Sequence, residues 1–182
     1  MQYPMQWTGG SVTAPKGFRA SGVRCGVKSQ GKDLALIASD MPATVAGVFT
    51  TNRAAAPCVR YSRHVIEAGV ARAIVVNSGN ANAATGEEGF IDNVRMAQKV
   101  AQLLECPPAQ VVTASTGIIG HRLPLEKIEA GIEQATLELS ESGGDFAAEA
   151  IMTTDTVPKA EALSLYLPEG EVRIGGIAKG AG

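Results

Sequence analysis

Residues 71–117 read ARAIVVNSGNANAATGEEGFIDNVRMAQKVAQLLECPPAQVVTASTG. Residues 73–77 (AIVVN) make a strongly apolar run, the pattern of a central strand covered on both faces. Over 87–105, Ile91, Val94, Ala97, Ala101 and Leu104 recur at steps of three and four, which predicts a helix with one buried face. Pro107-Pro108 prevents its continuation, and 110–114 return as a strand. Strand, helix and strand in one stretch are the unit of a layered α/β fold.

Toward the N-terminus, 18–28, 34–39 and 44–51 are short β-branched and apolar runs, punctuated by glycines and by the turn Asp40-Met41-Pro42. They predict an antiparallel set of strands. Ser62 can cap a short helix that carries Val65 and Ile66 and stops at Gly69. Toward the C-terminus, Pro124 followed by Leu125, Ile128, Ile132, Ala135 and Leu139 predicts a second amphipathic helix, ended by Gly143-Gly144. Asp145 is placed to cap a third, short one. Residues 160–167 and 172–177, joined by Pro168-Glu169-Gly170, alternate as a hairpin. With no internal repeat and no Pro/Gly-rich linker, all 182 residues are expected to form one unit.

Composition narrows the function. Sixteen Lys and Arg against 18 Asp and Glu give a net charge of −2, which offers no footprint for a phosphate backbone, so nucleic acid is not expected as a partner. No run approaches the roughly 20 apolar residues that span a bilayer, and residues 1–10 lack the basic and apolar regions of a signal peptide; the expectation is no membrane and a cytoplasmic protein. Five of the six charges in residues 1–35 are basic, Lys28 among them, and seven acids crowd 126–149, an asymmetry that reads as solvated faces. Cys25, Cys58 and Cys106 are too few and too far apart for a disulfide framework or a metal knuckle, and read as reduced core thiols.

Four segments hold more Gly, Thr and Asn than folding alone requires. Asn77-Ser78-Gly79-Asn80-Ala81-Asn82-Ala83 follows the central strand, where amides and free N–H groups can face a ligand's carboxylate, or simply close an Asx turn. Ala114-Ser115-Thr116-Gly117-Ile118-Ile119-Gly120 directly follows the strand 110–114, at a strand end that opens into Thr-Gly. There a hydroxyl and an unhindered N–H stand side by side, as a developing oxyanion requires; the alternative is a turn in which Thr116 bonds its own backbone. Thr153-Thr154-Asp155-Thr156-Val157-Pro158-Lys159 can hold polar groups of a substrate, or cap and turn. Lys179 lies in a Gly-rich strand end that lacks the Gly-Lys-Ser/Thr order of a phosphate-binding loop, and is either a surface charge or a ligand for an anion. Nothing here is an obvious nucleophile: there is no GxSxG elbow and no Cys or Ser beside a His.

The segments WTGGSVTAPKGFRASGVRCGVK, VVNSGNANAATG, TASTGIIG, IMTTDTVPK and IGGIAKGAG, in this order, resemble the α-chain of the bifunctional glutamate N-acetyltransferase/ornithine acetyltransferase family of arginine biosynthesis. The resemblance implies a layered αββα-type sandwich, N-terminal-nucleophile-like, completed by a partner β-chain cut from the same precursor, in an α2β2 heterotetramer. It implies that acetyl passes from N-acetylornithine to glutamate in a ping-pong cycle through a threonine that starts the β-chain and is absent from these residues. The α-amine of that threonine, with a free pKa of about 7.7–8.0, can serve as its own base, which accounts for the missing triad. By the same resemblance Thr116 and Gly117 are the oxyanion-hole pair, and Lys179 and Thr153, with Thr154 as the alternative, bind substrate. No cofactor or metal is expected, with acetyl-CoA an optional second donor. In the family a few residues of the type MIxPNMA precede the cut, and the chain stops at Gly182, short of them. The competing readings are a self-processing aminopeptidase of the same fold and a non-catalytic binding module.

Overall fold

A computed structural model describes residues 3–180. The elements run β1 (Met5–Thr8), β2 (Phe18–Val23), β3 (Leu34–Thr44), α1 (Pro57–Ile66), β4 (Val70–Asn80), α2 (Gly86–Leu103), a 3₁₀ turn (Pro108–Gln110), β5 (Val111–Ile118), α3 (Leu125–Leu137), α4 (Gly144–Ala150), β6 (Lys159–Leu167) and β7 (Gly170–Ala178). Two sheets result, a four-stranded one in the order β2-β3-β4-β5 and a three-stranded one in the order β1-β6-β7. Among the described strands only β4 and β5 run parallel, and α2 is the crossover between them.

Alternation along the strands sends side chains to opposite faces of the larger sheet, and each face has its own core. Leu34, Leu36, Ala73, Val75 and Val111 pack with Met96, Val100, Ile128 and Ile132 of α2 and α3. On the other face Ala20 and Ala35 meet Ala147, Ala150 and Ile151 at α4, with Ile177 of β7 against them. The layers are therefore helices, sheet, then α4 with the smaller sheet, a mixed α/β arrangement as the sequence predicts.

Several local expectations are corrected. Instead of two strands with a turn at Asp40-Met41-Pro42, β3 is one strand whose register shifts between Ala38 and Ala43, a bulge that accommodates a proline with no N–H to pair. Strand β2 ends at Val23, and residues 24–33 form a loop pinned by Asp33. The buried face of α2 is Gly89, Asp92, Asn93, Met96, Ala97, Val100 and Ala101, while Ile91 is half exposed. The helix turns its acid inward because Arg122 grips Asp92 with two hydrogen bonds of 2.6 and 2.8 Å. Ser62 sits inside α1 rather than capping it; Gly143 precedes α4, with Asp145 in its first turn; and Leu139 lies beyond α3. Strand β1, paired with β6, is not foreseen.

Candidate active site

The carboxyl ends of two parallel strands are where open α/β sheets place ligands. Here β4 and β5 end side by side, with Ser78 opposite Thr116 and Gly79 opposite Gly117. The backbones approach so closely that a Cβ on Gly117, whose φ is +136°, would overlap the carbonyl carbon of Gly79 and the nitrogen of Asn80. A Cβ on Gly79 would in turn stand 2.7 Å from Lys28 Cγ. The loop after β2, Gly79 and Gly117 are thus stacked in direct contact.

A cleft of about 590 Å³ opens over this stack, bordered by Lys28, Gly79, Thr116, Gly117, Thr153 and Thr154 among others. Lys179, at the end of β7, reaches into it: its ammonium donates to Thr116 Oγ1 at 2.8 Å and to Thr153 Oγ1 at 2.7 Å. Four positions spread over 63 residues of sequence, Thr116, Gly117, Thr153 and Lys179, are thereby brought together. Thr154 borders the same cleft but is not bound by the lysine.

Asp155 fixes the end of β7. Its carboxylate accepts from Lys159 Nζ at 2.9 Å, Gly180 N at 2.6 Å and Thr153 N at 3.2 Å. The Lys159 hydrogen bond, helped by those of the two backbone amides, holds its carboxyl well below the usual carboxylate range. Across the cleft, buried Asp33 accepts the N–H groups of Cys25, Gly26 and Lys28 at 2.6, 3.0 and 2.8 Å, which shapes the 24–33 loop.

The asparagine-rich segment works otherwise than as a ligand face. Asn77 donates to Asn80 O, Asn80 to Arg122 O and Asn82 to Gly89 O, and all three are buried. Ala81 N–H donates to Ile118 O and Gly120 N–H to Ala83 O, so the segment clamps the loop that carries Thr116 and Gly117. Gly79 alone of the segment borders the cleft. The sequence reading put Lys28 and Asp33 on a solvated face and gave Asp155 only a place in the threonine-rich segment, whereas Asp33 is fully buried. A lone acid closing a basic stretch and an acid two residues beyond Thr153 were the only available signals.

Fold and cleft together define an α/β chain of layered sheets whose polar site lies at the end of a parallel strand pair, lined by hydroxyls, glycines and cations. The ArgJ family model matches residues 19–182, and the chain belongs to that family. It is 50% identical over its whole length to the arginine biosynthesis bifunctional protein ArgJ of Synechococcus sp., and 48% identical over 98% of its length to that of Symbiobacterium thermophilum. It spans 44% and 45% of those relatives, less than half of each. Among solved structures it resembles ArgJ from Bacillus halodurans (TM-score 0.93, 37% identity, covering 100% of this chain and 96% of that one). It also resembles the ornithine acetyltransferase of Mycobacterium tuberculosis in complex with ornithine (TM-score 0.91, 42% identity, covering 98% and 96%). In the described residues no helix is long and apolar enough to cross a membrane.

Proposed function

We propose that this chain is the α-part of a glutamate N-acetyltransferase/ornithine acetyltransferase that moves an acetyl group from N-acetylornithine to glutamate. The observation that carries the reading is the Lys179 ammonium bound to both Thr116 and Thr153 beside Gly117. The family membership and the ornithine-bound relative support it.

In this mechanism the nucleophile is a threonine hydroxyl at the start of a β-chain cut from the same precursor, and its own α-amine takes the hydroxyl proton. The oxygen attacks the acetyl carbonyl of N-acetylornithine, the Thr116 hydroxyl and the Gly117 N–H stabilise the oxyanion, and ornithine leaves with the proton on its nitrogen. Glutamate's α-amine then attacks the acetyl-threonine ester, giving N-acetylglutamate and the free threonine. Because an ammonium only donates, its bond to Thr116 occupies one lone pair of the oxygen and leaves the hydroxyl proton available for the oxyanion. Lys179 also places a positive charge where a substrate carboxylate can reach it. Two α- and two β-chains make the assembly, the reaction needs no cofactor, and acetyl-CoA serves as a second donor.

The test is acetyl transfer from N-acetylornithine to glutamate by the full reading frame, followed with the intact masses of its products. Expected are transfer, two chains rather than one, and a mass gain of one acetyl group on the chain that begins with threonine. An uncut, inactive product overturns the reading. Replacing N-acetylornithine with acetyl-CoA tests the second donor.

A further inference from the structure

A second cation faces the same cleft. Lys28 Nζ donates to the carbonyl of Met152 at 3.0 Å, one residue before the Thr153 that receives Lys179. Two ammonium groups are therefore anchored on consecutive residues, Lys28 from the loop after β2 and Lys179 from the residue that follows β7. Neither makes an ion pair among the described residues. The acids that act on Lys28 are committed elsewhere, Asp33 to three backbone N–H groups and Glu149 to Lys32 at 3.0 Å, and Asp155 beside Lys179 is paired with Lys159. Burial, with the Lys179 charge adding to it, pulls the Lys28 pKa down against the opposing pull of Asp33 and Glu149. An incoming anion relieves both costs.

Resting on the acetyl-transfer reading above, we propose that Lys28 is a specificity-determining residue that receives the distal carboxylate of a dicarboxylic amino-acid acceptor. Lys179 touches Thr116, the hydroxyl at the point of acyl transfer. The reacting amine of the acceptor is bonded to the same carbon as its α-carboxylate, so that carboxylate falls to Lys179. Lys28 does not touch Thr116 and sits over Gly79, on the far side of the stack, where the acceptor's side chain extends. With one hydrogen bond made, its ammonium keeps two donor directions for a carboxylate.

The experiment compares glutamate with glutamine, a neutral isostere, as acceptors in the full enzyme and in its Lys28→Gln and Lys28→Arg variants. Glutamine at position 28 keeps a donor for the Met152 carbonyl and loses the charge. The wild type is expected to prefer glutamate over glutamine at least tenfold in kcat/KM, Lys28→Gln to lose that preference to within about twofold, and Lys28→Arg to keep most of it. An undiminished preference in Lys28→Gln overturns the assignment. Equal losses in both variants, or a Lys28→Gln chain that fails to fold, make Lys28 a structural tether and overturn it too. Calorimetric binding of the two amino acids separates the two readings. If the wild type transfers no acetyl yet binds glutamate and loses that binding in Lys28→Gln, the function reading fails and only the carboxylate-binding role of Lys28 stands; if it does not bind glutamate, this inference fails.

Discussion

Thr116 Oγ1 accepts from Lys179 and lies outside both cores, so in the proposed mechanism deleting this hydroxyl removes one oxyanion donor without touching a core residue. Thr116→Ala is expected to melt within about 2 °C of the wild type and to slow acetyl transfer on the order of 10²–10³-fold. A folded variant with unchanged turnover contradicts the assignment. The thiols show the opposite character. Burial, with the Asp33 carboxylate adding to it, pushes the Cys25 thiol up to about 12, and burial also raises Cys58 and Cys106. At pH 8 native Cys25 is expected to react with iodoacetamide at least about a hundredfold more slowly than in the urea-unfolded chain, because so little of it is thiolate. Peptide mass spectrometry after timed labelling reads this directly, and equal rates contradict it. At this scale residue type and strand end are local facts, so the sequence marked Thr116-Gly117 as a pair at a strand end and the three cysteines as free thiols, of which Cys58 is buried and Cys25 and Cys106 are half-buried. It hid the hydrogen bonds between Lys179 and the two threonines, which link positions 26 and 63 apart in the chain.

Among the elements, β5 is an edge strand whose outward backbone groups need partners, and α1 supplies them through one side chain. Ser62 Oγ donates to Thr113 O at 2.7 Å and accepts from Thr113 N at 2.9 Å, and both residues are buried. Ser62→Ala leaves two buried backbone groups unpaired and is expected to cost about 1–3 kcal/mol, read as a lowered urea midpoint. A loss below about 0.5 kcal/mol would show that water or a shifted helix satisfies the strand. Reading Ser62 as a helix cap recognised that this hydroxyl binds backbone but assigned it the wrong backbone, since capping preference is local and sheet edges are set by topology. The same limit explains α2. Its three- and four-residue rhythm was legible in the apolar residues, yet the helix is rotated so that Asp92 faces Arg122, an ion pair no period reveals. Strands 73–77 and 110–114 and the hairpin were legible because apolar runs and turn residues coincide there.

At the scale of the whole molecule, the described residues cover the smaller sheet on one face only. Register places Met5, Leu165 and Val172 in one cross-strand row and Trp7, Leu163 and Ile174 in the next, all on the same face. Trp7 is 70% exposed and Met5 66%, whereas Ala162 and Ser164 on the opposite face are buried. An apolar face of this kind marks an interaction surface, and the chain spans less than half the length of its relatives. If the remainder of the reading frame covers this face, a charge at its most exposed point should weaken assembly while sparing the fold of this chain, since Trp7 contributes to neither of its two cores. Trp7→Arg is therefore expected to leave the far-ultraviolet circular dichroism of the separately expressed chain unchanged and to lower its co-purification with a tagged remainder at least tenfold. Replacing Ile91, equally apolar and half exposed on the helical face of the larger sheet, with Arg is the control and should leave assembly intact. Equal recovery of the Trp7 and Ile91 variants places the partner elsewhere.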